Sequence, residues 1–394
     1  MKKIFIVLFT IFFVSHKLCY SQTAEEGEQA YIKAIEAEQQ GNWPAANELY
    51  EEAATIFENL NMKTNVLKIR YQKSVLLIRT GDLKYAQTTL NNILEQTKDP
   101  QLFDAQLISA CYTSLGRISA MYGKPDESLD YFEKALISDS TQFGAESVQA
   151  AQAYANIGTA YSQKYEYTKA ENFFNKAKQI FIKKEGEKTP NLINVDINLA
   201  LISTYSGRYD DAIAIYKEAE SIIPQGDGRF ILQLADIYSG YCDAYTSKGE
   251  YNIAESYINK SLEIKKANFG ENNINTVSDY SKLAILLKEQ GKYDDAVNYF
   301  QKAGNIIAKN YGKKHPDLGG IYNNLAQIYF NDGDDETAKE YYTKAIESIS
   351  AVYGDMHPDI AAINNNIALI DMNVDRGVSA QPRVDELYGV RLAL

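Results

Sequence analysis

The chain has 394 residues, enough for two or three globular domains if it had no internal period. Its 45% hydrophobic and 23% charged residues are those of a folded soluble protein and exclude wholesale disorder. The formal charge is −12, and becomes −15 once the first 21 residues, with three lysines and no acid, are set aside. Nucleic acid and anionic membrane surfaces both need a basic footprint, so composition disfavours them as partners.

In chain order, Lys2-Lys3 precede an eleven-residue apolar run, Ile4 to Val14. Such a run is too short to span a bilayer and fits the apolar region of a signal peptide. Cys19 and Ser21 place small side chains at −3 and −1 of a cut before Gln22. Residues 1–21 are therefore expected to be a signal peptide, and the product to be exported, periplasmic or secreted. Lys17-Leu18 are bulky where a lipid-attachment site at Cys19 would want small residues. No later segment has 18 consecutive apolar residues, so stable membrane insertion after cleavage is not expected. Cys111 and Cys242 then remain, in different repeats and in helical runs, and read as two buried small hydrophobes rather than a disulfide framework.

Internal repetition decides the rest. Gly144, Gly186, Gly228, Gly270, Gly312 and Gly354 are each 42 residues from the next. The same step links Ala86, Ser128, Ala170, Ala212, Ala254, Ala296 and Ala338, and also Tyr167, Tyr209, Tyr251 and Tyr293. Each unit reads as two amphipathic helices. In the copy starting at Pro316, Leu318, Ile321, Leu325, Ile328 and Tyr329 recur at helical spacing, with Pro316 suited to the first turn. The cluster Asn331 to Asp334 ends this helix A. Helix B follows through Ala338, Tyr342, Ala345 and Ile349, and Gly354 closes it in a positive-φ conformation. Eight pairs are predicted, at about 28–60, 67–97, 109–138, 151–184, 193–224, 235–268, 277–310 and 319–352, with a capping helix over 358–372. The array spans 22–372, and the tail 373–394 stays unassigned.

Alanines are expected where helices cross closely, with aromatics filling the wider gaps. This alternation, seen as Tyr154-x2-Ile157-Gly158-x2-Tyr161…Ala170-x3-Phe174 and as Tyr322-x2-Leu325-Ala326-x2-Tyr329…Ala338-x3-Tyr342, resembles the tetratricopeptide repeat. The resemblance implies an all-α fold, a right-handed superhelical solenoid of antiparallel helix pairs. The usual unit of that family is about 34 residues. The longer unit here, with its Tyr-Gly…His-Pro-Asp junction and Asn-Asn-Leu-Ala start, looks like the repeats of kinesin light chains. It is clear from about 109 to 372 and looser over 28–108. With a leader in place of a heptad region, only the architecture and a peptide-binding habit are implied, not a motor role.

Residues for catalysis are sparse. After the leader the only histidines are His315 and His357, which share one slot before Pro316 and Pro358 and read as helix-start residues. No nucleotide-binding, zincin, nucleophile-elbow or Cys-x-x-Cys motif is present. The acidic clusters at Asp227 and Asp332 to Asp335 lack calcium-loop spacing and fall at repeat turns. No cofactor and no metal is expected. Most of the 30 tyrosines fall on slots the fold requires to be aromatic.

A second ladder is more suggestive. Asn156, Asn198, Asn324 and Asn366 share one slot, interrupted by Gly240 and Lys282. In the tetratricopeptide arrangement this slot faces the concave groove, and groove asparagines of kinesin light chains contact a bound backbone. An amide can both donate to and accept from an extended peptide. The same register adds Gln163, Tyr205, Asp243, Glu289, Gln327 and Asn331, which are polar or acidic more than basic. The expected function is a non-enzymatic, exported scaffold that binds a protein or peptide partner in the concave groove. The rivals are a glycan- or peptide-binding protein, and the sensing or regulatory component of a larger system.

Overall fold

The computed structural model describes residues 23–224 and 228–375. The expected signal peptide, and the tail from 376 onwards, lie outside the described residues. Those described form seventeen α-helices and no strand. Two compact units are distinguishable, one ending at Leu76 and one beginning at Leu77.

The first unit holds α1 (Ala24–Gln39), α2 (Trp43–Asn59) and the start of α3 (Lys63–Thr80). A capping box starts α1: the Glu26 amide donates to Thr23 Oγ1 at 3.2 Å, and the Thr23 amide to Glu26 Oε2 at 2.9 Å. Buried Ala30, Ala34 and Ala37 on α1 face Tyr50, Ala53 and Phe57 on α2, and the Tyr50 hydroxyl donates to Glu38 at 2.8 Å.

The second unit continues from the end of α3 through α4 (Leu83–Gln96). Five helix pairs with the same A–B plan follow. They are α5 (Ala105–Met121) with α6 (Pro125–Phe143), α7 (Val148–Gln163) with α8 (Tyr167–Glu185), and α9 (Pro190–Tyr205) with α10 (Tyr209–Ser221); then α11 (Ile231–Ser247) with α12 (Tyr251–Phe269), and α13 (Val277–Glu289) with α14 (Tyr293–Tyr311). The pair α15 (Asp317–Asp332) and α16 (Asp335–Tyr353) and the single helix α17 (Pro358–Asp375) complete it. The result is the right-handed superhelical solenoid that the repeat implies.

Close approach sets the spacing. Ala170, Ala212, Ala254, Ala296 and Ala338 are wholly buried, as is Ser128 in the same slot. At Gly158 a Cβ would stand 3.0 Å from the Phe174 ring, and at Gly116 only 2.5 Å from Phe132. A larger residue at these crossings would force the helices apart, at a cost of about 1–3 kcal/mol each.

The periodic glycines end their helices as expected, with φ of 92°, 88°, 88°, 94° and 81° at Gly144, Gly186, Gly270, Gly312 and Gly354. Gly228 does not. Helix α10 stops at Ser221, after 13 residues rather than 19, and Gly228 instead opens a short 3₁₀ turn to Phe230. Pro224 accounts for the difference, because it lacks an N–H and disfavours helical geometry at the residue before it. The expected extent of this helix B to 224 is thus corrected.

Each A helix α5 to α13 also meets the next A helix, whereas no comparable packing joins successive B helices. The A helices therefore occupy the inner radius of the coil and the B helices the outer. The unit also winds back on itself: His357, at the start of α17, lies 3.2 Å from the Met121 carbonyl at the end of α5, 236 residues away.

At the α12–α13 interface the apolar plan gives way to polar residues. Asp279 stands where neighbouring repeats have Ile237 and Ile321, Lys265 where they have Ile223 and Ile307, and Ser261 where they have Ala219 and Ala303. All three are buried, at 0%, 5% and 0% exposure. Lys265 Nζ sits 2.9 Å from Asp279 Oδ1, and Ser261 Oγ 2.5 Å from Asp279 Oδ2 and 2.8 Å from the Ala235 carbonyl. Three slots have changed together so that each buried polar group answers another. Replacing Asp279 by Ala should therefore cost up to about 3–5 kcal/mol in urea unfolding, because it leaves buried Lys265 only the more exposed Asp236 carboxylate, 3.4 Å away. The triple variant Ser261→Ala, Lys265→Ile, Asp279→Ile, which restores the repeat consensus, should unfold at a urea midpoint equal to or above that of the parent.

Candidate partner-binding face

The inner face is built from one stripe of each A helix, and its side chains reach between repeats. Lys282 on α13 donates to Asp243 on α11 at 2.6 Å. Lys288 on α13 donates to Asn324 Oδ1 at 3.2 Å and to Gln327 Oε1 at 3.0 Å, both on α15. Burial works against the charge on Lys282, but the Asp243 carboxylate outweighs it and holds the ammonium above its ordinary range.

The asparagine slots are half-buried at 156, 198, 324 and 366. Asn198 Nδ2 donates to the Asn194 carbonyl at 2.8 Å and Asn324 Nδ2 to Gly320 at 2.9 Å, one turn back on the same helix. One N–H of each amide is thereby fixed, which orients the group. Burial pushes the Tyr342 phenol well above its usual pKa, and its hydrogen bond with Asn366 offsets only part of that rise. Gln327 and Asn331 are half-buried on α15, Gln163 and Glu289 are exposed, and Tyr205 is 43% exposed beside the Tyr167 ring at 6.5 Å.

The two interruptions of the ladder have separate causes. At Gly240 a Cβ would lie 2.2 Å from Tyr216 Cζ, so the tip of this wholly buried ring fills the rung. Burial first, and then Asp243 and Tyr205, push the Tyr216 phenol well above its usual pKa. Lys282 is the second interruption, and its ammonium bonds one repeat back. Read as a break, Lys282 is in fact a cross-repeat tie. The signal was available: Asp243–Lys282 and Lys288–Gln327 are both 39 residues apart, one unit less about one helical turn.

The aromatic slots behave as the fold demands. Tyr112 with Tyr131, Tyr154 with Phe173, Tyr238 with Tyr257, Tyr280 with Tyr299 and Tyr322 with Tyr341 pack between helices A and B of one pair, at centroid distances of 5.9 to 6.4 Å. Lys134, Lys176, Lys260, Lys302 and Lys344 lie over these rings. They are thus spread by the repeat, not gathered into one exposed patch. Burial pushes the thiols of Cys111 and Cys242 up to about 12, which leaves them inert as nucleophiles. Among the described residues no three His, Cys, Asp or Glu side chains converge to hold a metal ion, and no helix is long and apolar enough to cross a membrane.

The profile of the tetratricopeptide repeat matches residues 107–183, 149–225, 233–309 and 317–371, well over half of the chain. The chain belongs to the tetratricopeptide repeat family. Its 42-residue units resemble those of kinesin light chains. No curated protein matches it. Among solved structures it is similar to apo RapI, at 17% identity and a TM-score of 0.55 over 72% of this chain and 99% of that one. A Rap protein complexed with Competence and Sporulation Factor matches at 14% identity and TM-score 0.54, over 89% and 99%. NprR in complex with its cognate peptide NprX matches at 18% identity and TM-score 0.51, over 86% and 98%. At such identities the likeness concerns the tetratricopeptide fold alone.

A glycine in a helix interior is usually improved by alanine, by about 1 kcal/mol. At Gly240 the sign should reverse. Gly240→Ala should lower stability by about 1–3 kcal/mol in urea unfolding, because the Tyr216 ring already occupies the space. A stabilised variant would show that the ring is free to withdraw.

Proposed function

We propose that this protein is a non-enzymatic, exported scaffold that binds an extended segment of a protein or peptide partner along the inner face of the A helices. The observation that carries the reading is the polar lattice of that face. Amides at Asn198 and Asn324 are held in fixed orientation, and side chains of successive repeats meet at Asp243–Lys282 and Lys288–Gln327. An amide that both donates and accepts grips a peptide backbone with little dependence on sequence. Tyr205 offers a half-exposed ring beside them. Two neighbours of the same fold were solved with a bound factor or peptide, which supports the use of such a coil for peptide capture.

Export rests on the leader-like residues 1–21 and their cut site before Gln22. With a formal charge of −15 after that cut, a partner of some positive charge is favoured.

Two measurements test this reading. Peptides selected against the chain from Gln22 onward should bind at least tenfold more weakly to variants Asn198→Ala, Asn324→Ala or Tyr205→Ala, about 1.4 kcal/mol. The outer-face variant Lys176→Ala should leave affinity unchanged, and rising salt should weaken binding. Equal affinity for all variants would overturn the inner-face reading. Intact mass of the protein recovered from its native source should correspond to a chain beginning at Gln22; a chain retaining Met1 or Lys2 would overturn export by this leader.

A further inference from the structure

The slot at the start of five A or single helices holds Ser147, Thr189, Asn273, His315 and His357 at multiples of 42 residues, while Ala105 and Ile231 fill it at α5 and α11. Ser147 caps its helix by accepting from the Ala150 amide at 3.1 Å, and Thr189 by accepting from Leu192 at 3.3 Å. The two histidines do the same work with Nδ1, which accepts from the Asp317 amide at 3.4 Å and from Asp359 at 3.3 Å. That choice of acceptor leaves Nε2 as the protonated nitrogen of a neutral ring, pointing away from the helix.

It points across the coil. His357 Nε2 donates to the Met121 carbonyl at 3.2 Å, and Pro358 Cδ lies 2.8 Å from where a Cβ on Gly123 would stand. Tyr122 meets Tyr353 edge-on at 6.1 Å. The arrangement recurs one unit earlier: His315 Cδ2 lies 3.3 Å from the Cβ position of Gly81, and its Nε2 faces the Arg79 backbone without closing a bond of normal geometry. Gly81 and Gly123 hold φ of 87° and 68°, and any side chain there would collide with the corner that seats on them. Histidine thus replaces Ser, Thr or Asn at the two repeats that lie one superhelical turn beyond an A–B turn of the same unit.

We infer that His315-Pro316 and His357-Pro358 are a pair of clasps that hold the second unit in a closed superhelical turn, and that acidification releases the one at His315. The clasps fix the pitch of the coil and hence the spacing of its inner face, independently of what that face binds. The protonation argument has a definite sign. His315 is buried, at 5% exposure, and burial lowers its pKa, against the pull of Asp317 Oδ2 at 3.6 Å. The other groups facing it are the Tyr311 ring at 4.6 Å and Arg79. A histidine whose folded pKa is depressed stabilises the folded arrangement above the unfolded value, about 6.5, and loses that contribution as pH falls below it. Protonation also turns Nδ1 into a donor, so it no longer caps the helix.

The test places spin labels at Lys84→Cys and Lys314→Cys, which flank the Gly81–His315 corner, in the full chain with Cys19→Ser; both positions are exposed, while Cys111 and Cys242 are buried and escape labelling. Double electron–electron resonance at pH 7.5 should give one narrow short distance, shifting to longer and broader values at pH 5. The variant His315→Ser, His357→Ser keeps an ordinary cap, as at Ser147, and should show the long distribution at both pH values with unchanged helicity by circular dichroism. An unchanged short distance in the serine variant would overturn the clasp. A parent distance that does not move at pH 5 would overturn its release by acid. Neither result depends on a bound partner, so both are separable from a failure of the inner-face reading.

Discussion

Everything in this molecule depends on close helix crossing at residues with little or no side chain. Ala170, Ala212, Ala254, Ala296 and Ala338 recur at one interval and are buried without remainder. Because each crossing is the same, each unit is rotated against the last by the same small amount, and a coil results. The inner and outer radii follow from that rotation. Successive A helices come close enough for Lys282 and Lys288 to bridge from one to the next. The lattice proposed to meet a partner is thus a by-product of core packing.

The polar exceptions obey the same geometry. Where Asp279 enters an isoleucine slot, Lys265 and Ser261 enter the slots it touches, so the interface keeps its spacing while its chemistry changes. Where Gly240 empties a rung on the inner face, the Tyr216 ring occupies it. Where two superhelical layers meet, glycine in the A–B turn and histidine–proline at the opposing corner share the contact.

The parts of this structure that were legible in the sequence are those that repeat. Helix boundaries near Gly144 or Gly354 follow from a residue free to take positive φ, and the alternation of alanine with aromatics identifies the packing family. The period is a poorer guide at Gly228, because Pro224 lies four residues earlier and stops α10 at Ser221, short of the expected 224. The asparagine slots were visible, yet the role of Lys282 was not, since it depends on which residue lies one repeat back and one turn along. His315 and His357 were readable as helix-start residues because that role is local. Their second role depends on the superhelical pitch, which accumulates over between five and six units and is written in no single one.

The central claim is that a partner lies along the inner face of the A helices. Photo-crosslinking side chains placed one at a time at Asn198 and Asn324, and at Lys176 and Lys260 on the outer face, test it most directly in the source cells. The account predicts one adduct of constant partner mass from both inner positions and none from the outer ones. Adducts confined to the outer positions would contradict it.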